Sequence, residues 1–294
     1  MSVPPEYKRT IEDIITLYRL EKNIKDLYVE GKSDKYFLEW HLKQIGIIKS
    51  DIYAIESIFI PSEDLLTKGY ENGNRDRVLF LISCLNASKC FGKYKGIIDR
   101  DILCFTRGLP LVDNVLITDY SCLEMYAYND DVMTKINDTG FSHGIKNNLF
   151  SFINEVLKLS SSIRIFEKRA NVSIRKLAFD RYIEYKNKSL EFNRTKYLTA
   201  IHNSNSIVLL YDEFLRKISN ISDELSDNDV RDYSNRDDFI GILKCTLKKL
   251  DIIDNNITDD IIKTMIMIAI DTKYLVNCGL FKALIKFFEE RLTS

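Results

Sequence analysis

The chain has little of what several common site types require. Its only histidines are His41, His143 and His202, thin material for a histidine-based active site. Its six cysteines, Cys84, Cys90, Cys104, Cys122, Cys245 and Cys278, form no CxxC pair, so a zinc site is not expected. They read as reduced, mostly buried thiols of a cytoplasmic protein. Four prolines and eleven glycines, with no long Gly/Ser/Pro tract, argue against a flexible linker. A net charge of -1 gives the whole molecule no pull on nucleic acid, so any such attraction must be local. No run reaches the length of a membrane span; "IIKTMIMIAIDTKYL" is too short and contains Lys263, Asp271 and Lys273. The opening "MSVPPEYKRT" lacks the apolar core of a signal peptide.

What remains is a globular composition, 45% hydrophobic and 29% charged, in 294 residues that suit one large domain or two smaller ones. The first half alternates between strand and helix patterns. "DLYVE" (26–30), "IYAIESIFI" (52–60), "YKGIID" (94–99) and "NVLITD" (114–119) read as strands. "SDKYFLEWHLKQI" (33–45), with Ser33 or Asp34 as N-cap, "NRDRVLFLISCLNAS" (74–88) and "SCLEMYAY" (121–128) read as helices. Such alternation implies crossover units and a parallel sheet. From about residue 130 the pattern turns helical, over 145–163, 237–250, 259–270 and 279–292. "NSIVLLY" (205–211) is the one strand-like exception. The expected division is an α/β domain over 1–135 and a mainly helical domain over 136–294.

Charge is uneven. Residues 164–188 carry eight Lys/Arg against three acids, with Phe166, Phe179, Tyr182 and Tyr185 interleaved. That composition could track a phosphate backbone and stack bases, with Arg175 and Lys176 as candidate contacts. The alternative is a solvated amphipathic helix whose aromatics face the core. Residues 219–238 carry seven acids against two arginines and read as a solvated loop.

The most informative stretch is "YVEGKSD" (28–34). A phosphate loop would need a glycine five positions before Gly31, where Asp26 stands, so ATP binding of that kind is excluded. A helix cap explains Ser33 or Asp34 but not Glu30. A carboxylate closing a buried strand points into the crevice where open α/β sheets bind ligands, and Gly31 lets the chain turn after it. "GIIDRDILCF" puts Asp99 and Asp101 at another strand end, two residues apart and on one side of an extended chain. Glu30, Asp99 and Asp101 together would offer oxygen ligands suited to Mg²⁺ or Mn²⁺. Held close, they would repel until a cation offsets them, so Asp99→Asn with Asp101→Asn should not destabilise the metal-free protein. Glu124 lies early in the helix after "NVLITD".

The order strand–Glu30–Gly31–x–x–Asp34–helix followed by strand–Asp99–x–Asp101 resembles the TOPRIM domain of topoisomerases, bacterial primases, OLD-type nucleases and small RNA-maturation nucleases. The resemblance covers roughly residues 24–130 and implies a Rossmann-like, mostly parallel sheet. "VEGKSDKYF", "IIDRD" and "TDYSCLEMY" are most similar to OLD-like members, in particular the effector subunits of PARIS-type anti-phage systems (AriB-like proteins). Topoisomerase and primase members carry a further acid where Leu103 stands here, which favours the nuclease branch, with Glu124 completing the site.

The resemblance implies a metal-dependent endonuclease in which Asp99 and Asp101 hold Mg²⁺ and Glu30 is a ligand or general base. Lys32 would offset phosphate charge. It further implies a toxic effector of abortive infection that acts on host tRNA in the cytoplasm, restrained by an ABC-type ATPase partner, and it allows a homodimer. Three readings stay open beside it: a DNA-cleaving OLD-like nuclease, a phosphotransferase using Asp99 as nucleophile, and a non-catalytic TOPRIM binding module. Leu103 also departs from the Thr or Val usual in the phosphotransferases, and that reading leaves Glu30 unexplained.

Overall fold

The computed structural model describes residues 8–21, 23–48, 51–140, 149–205 and 207–290, without the side chains of 136–140. The chain divides into two compact units, each assembled from several segments. One comprises Met1–Arg100, Leu109–Asp119 and Asp271–Ser294; the other comprises Asp101–Gly108 and Tyr120–Ile270. The change of domain expected at 135/136 falls inside a helix, Asp130–Gly140.

The first unit opens with β1 (Arg9–Thr10), α1 (Ile11–Leu20), β2 (Asp26–Val29) and α2 (Lys32–Gln44). Then come β3 (Asp51–Ala54), β4 (Ile58–Phe59), α3 (Ser62–Thr67), α4 (Asn74–Ala87), β5 (Tyr94–Ile98) and β6 (Val115–Ile117). Four strands form a parallel sheet in the order β3-β2-β5-β6. The strands pair in parallel because helices, not hairpins, connect most of them. β2 is fully buried, as its apolar run requires of a central parallel strand. β1 and β4 form a separate parallel pair. The single strand expected over 52–60 is therefore two. A 3₁₀ turn at Ile55–Ser57 interrupts it, with Ser57 Oγ donating to the Ala54 carbonyl at 2.7 Å.

α4 lies close against β5. A Cβ on Gly96 would come within 2.7 Å of Ile82 Cγ1 and 3.0 Å of Val78 Cγ1, so glycine there sets the helix–sheet spacing. Tyr28, Val78, Leu81, Ile82, Leu85 and Tyr94 are among the buried side chains around it.

The second unit contains α5 (Leu103–Thr106), a 3₁₀ turn at Leu123–Ala127, α6 (Asp130–Gly140) and α7 (Leu149–Ala170). It continues with β7 (Ile183–Lys186), β8 (Ser189–Phe192), α8 (Arg194–Ser204), α9 (Tyr211–Glu224), α10 (Arg236–Lys249) and α11 (Asp259–Ala269). α7 is its centre, packed against α9 and α10 through buried side chains such as Ile153, Val156 and Leu157. Three consecutive serines stay buried in α7 because each finds a partner. Ser160 donates to Asp238 (2.6 Å), Ser161 to the Tyr233 carbonyl (3.1 Å) and Ser162 to the Lys158 carbonyl (2.8 Å). Residues 164–188 are not one helix. α7 ends at Ala170, and an antiparallel hairpin, β7–β8, follows. Within the stretch 205–211 expected as a strand, residues 207–210 are not one: they lead into α9, which starts at Tyr211, and Val208 is fully exposed.

The chain then returns to the first unit through α12 (Thr272–Leu275) and α13 (Gly279–Glu289). Asp119, after β6, fixes the start of α13: its two carboxylate oxygens accept from the Gly279 and Leu280 amides, both at 3.0 Å. Among the described residues no helix is long and apolar enough to cross a membrane.

Candidate active site

In chain order the four sheet strands run β2, β3, β5, β6, but in space β2 and β5 are neighbours and the order reverses between them. At such a reversal the connections diverge and leave a crevice beyond the carboxyl ends of the strands. Glu30 follows β2 and Asp99 follows β5, so both stand at this crevice. The register Val29↔Ile97 brings them together. Glu30 Oε1 accepts from the Asp99 backbone N–H at 2.9 Å.

A third residue joins them. Arg75, in the first turn of α4, is ion-paired with Glu30, its Nε 3.4 Å from Oε1. The Arg75 and Glu30 side chains are 18% and 20% exposed, which leaves the pair at the edge of solvent. The turn after β5 is tied down separately. The Arg100 N–H donates to Thr118 Oγ1 at 2.9 Å, and its guanidinium donates to the Asp119 carbonyl at 2.7 Å.

The residues after Glu30 act locally. Gly31 is the N-cap of α2, and Asp34, three positions on, accepts from the Gly31 N–H at 2.8 Å. Asp34 thus serves as a helix cap, from inside the first turn rather than from the N-cap position. Gly31 has a φ of -145°, extended backbone open to any residue, so the expected tight turn does not require glycine here. Lys32 is the first residue of α2 and is exposed.

The remaining candidates lie in the second unit. Asp101 has a φ of +48°, the left-handed region that Asp tolerates better than most residues. Its N–H donates to the Ser121 carbonyl at 2.7 Å, and its Oδ1 accepts from Arg164 Nη2 at 3.1 Å. Glu124 is buried in the 3₁₀ turn, with Arg236 Nη1 at 3.5 Å. Arg175 is exposed, and its backbone exchanges hydrogen bonds with the Asn205 side chain. Lys176 is engaged: its ammonium meets Asp238 at 2.5 Å, and burial lowers its pKa while Asp238 opposes that shift.

Glu30, Asp101 and Glu124 thus each have an arginine partner, and the sequence spacing had singled out none of the three arginines. Topology offered one signal. A helix that runs back between parallel strands starts over their carboxyl ends, which is where Arg75 stands.

A divalent cation would need several of these oxygens at once. Glu30, Asp99 and Asp101 have the right donor chemistry for Mg²⁺ or Mn²⁺. Within the first unit, Glu30 is already engaged. Glu30 Oε1 is taken by an amide and a guanidinium, and among the described residues no three His, Cys, Asp or Glu side chains gather as a metal-holding group. Compared with known proteins, the chain matches no family model and no curated sequence.

Proposed function

We propose that this chain is a phosphodiester-cleaving nuclease whose site centres on Glu30 and Asp99. One observation carries the reading: two acidic positions from separate sequence motifs meet at the carboxyl ends of adjacent parallel strands where the strand order reverses. The resemblance of "YVEGKSD" and "IIDRD" to TOPRIM motifs supports the same residues, and it implies roles for Asp101 and Glu124 as well.

Glu30 is suited to accept a proton from an attacking water, because it is partly exposed and held in place by the Asp99 amide. Arg75 is suited to meet a phosphate oxygen as it leaves Glu30. The reading includes a requirement for Mg²⁺ or Mn²⁺. Such an ion at Glu30 would compete with Arg75 for the carboxylate. RNA, with host tRNA as the natural target, is the proposed substrate, and a restraining ABC-type ATPase the proposed partner. Both rest on the resemblance to PARIS-type effectors, as do a cytoplasmic location and the role in anti-phage defence.

Incubating the purified protein with labelled tRNA, plasmid DNA and a phosphomonoester, in Mg²⁺, Mn²⁺ or chelator, tests the reading. Metal-dependent cleavage of tRNA supports it. Cleavage of plasmid alone moves it to the DNA-cleaving branch, and turnover of the monoester alone favours the phosphotransferase. Binding without cleavage in any metal favours a non-catalytic module, the reading closest to the arginine-paired carboxylates.

A further inference from the structure

α2 begins immediately after Glu30, and its two faces differ sharply. Phe37, Leu38, His41 and Leu42 are buried. The outer face carries Lys32, Tyr36, Trp40 and Lys43. At 3.6 residues per turn these positions fall within a stripe of roughly 80° that runs about 16 Å along the helix. Tyr36 is 61% exposed, and Trp40, the only tryptophan in the chain, is 47% exposed. Neither ring packs on another aromatic ring of the described residues, and neither lysine has an ion pair among them. An ion pair on this helix, Lys35–Glu39 at 3.5 Å, joins two residues off this stripe. Helix propensity does not explain the rings, because alanine or a straight-chain residue would serve the helix better there.

We propose that Lys32, Tyr36, Trp40 and Lys43 form a rail that binds unpaired nucleotides and leads them to Glu30. The rail deepens the nuclease reading and rests on it for its purpose, but not for its binding chemistry. Two flat rings one helical turn apart offer successive faces for bases. Lysines at both ends, without an ion pair among the described residues, supply local positive charge that the net charge of -1 does not. A docked apolar helix would be poorly matched, since it would have to desolvate both lysines. A base-paired duplex hides its base faces, so the rail selects single strands, loops and bulges. Stacking is tolerant of sequence and of sugar, so RNA and DNA strands share the chemistry.

The test uses the full chain with Glu30→Gln, in chelator, so that binding is read without cleavage. Emission of Trp40 is followed while oligo(U), oligo(dT) or a duplex of equal length is added. Both single strands should quench it, and the duplex should bind more weakly. Tyr36→Ala should weaken binding roughly 5- to 150-fold, the range found for loss of one stacked base. Trp40→Ala, followed by anisotropy of a labelled strand, should do the same, and Trp40→Phe should recover most of the loss. Lys32→Ala with Lys43→Ala should lower the salt slope by about 1.4. Absence of quenching, unchanged affinity in Trp40→Ala, or equal affinity for the duplex overturns the rail. So does a change in sedimentation of Trp40→Ala without a change in strand binding, which would make this face a protein interface. Cleavage that persists in Glu30→Gln while these binding results hold would remove the active-site reading and leave the rail standing.

Discussion

Acidification should unfold this protein partly through one side chain, His41. It lies on the inner face of α2 and is 1% exposed, its ring 4.6 Å from that of Phe37 and 6.5 Å from that of Phe281. Neither ring nitrogen has a hydrogen-bond partner among the described residues. Burial alone pushes its pKa down to about 4. The unfolded chain binds a proton there near pH 6.5, so the folded state holds the neutral ring. Stability from this group is intact above pH 6.5 and is lost as pH falls towards 4. A gap of that size corresponds to roughly 3 kcal/mol. Other groups titrate over the same range, so the comparison must be with His41→Leu, which removes the titration and keeps an apolar filler. Urea unfolding of both proteins from pH 7.5 to pH 4.5 should show the wild type losing about 2.5 kcal/mol more than the variant. At pH 7.5 the variant should already be the more stable, since two orphaned nitrogens are gone. Parallel pH profiles, or a less stable variant at pH 7.5, would refute the view of His41 as a buried neutral filler.

Other consequences follow from the packing and the ion pairs. Gly96→Ala should destabilise by roughly 1–3 kcal/mol in urea, because its methyl group meets Ile82 and Val78 across α4 and β5. Asp101→Asn should lower stability in chelator by about 1 kcal/mol, because it breaks the pair with Arg164; a gain would mean that repulsion between the acids dominates, as spacing alone had suggested. Lys176→Met should cost about 2 kcal/mol by leaving buried Asp238 without its cation, whereas Arg175→Ala, at an exposed position, should melt like the wild type. If a divalent ion binds the folded site, Mg²⁺ at about 100 times its dissociation constant should add roughly 2.7 kcal/mol over chelator. Arg75→Ala should enlarge that response, and an unchanged response would mean that Arg75 does not compete for Glu30.

The parallel sheet was legible because its strands are short apolar runs closed by an acid or a turn, and β2, β5 and β6 stand where such runs lie. The β7–β8 hairpin was not. "IEYK" and "SLEF" are partly exposed and alternate with charged residues, so neither reads as a buried strand. The remaining signal was the turn, where Asn187 and Lys188 take φ values of 52° and 62°, the left-handed pair of a two-residue hairpin loop. "NSIVLLY" misled in the opposite sense: its apolar residues are β-branched or aliphatic, yet Val208 and Leu210 face solvent. At the site, Glu30 and Asp99 could be paired from sequence because each closes a strand of one parallel sheet. The arginine partner of Glu30 could not, since Arg75 and Glu30 are 45 residues apart and no local pattern links them.

The account turns on Glu30. The decisive measurement is the rate at which wild type and Glu30→Gln cleave labelled tRNA in Mg²⁺, with thermal melts showing that both are folded. The substitution keeps the side chain's shape and a carbonyl oxygen for the Asp99 amide, and removes the charge and the basic oxygen. The account requires wild-type cleavage to fall at least about 100-fold in the variant, the scale of a lost general base. A folded Glu30→Gln that cleaves as fast as the wild type would contradict it.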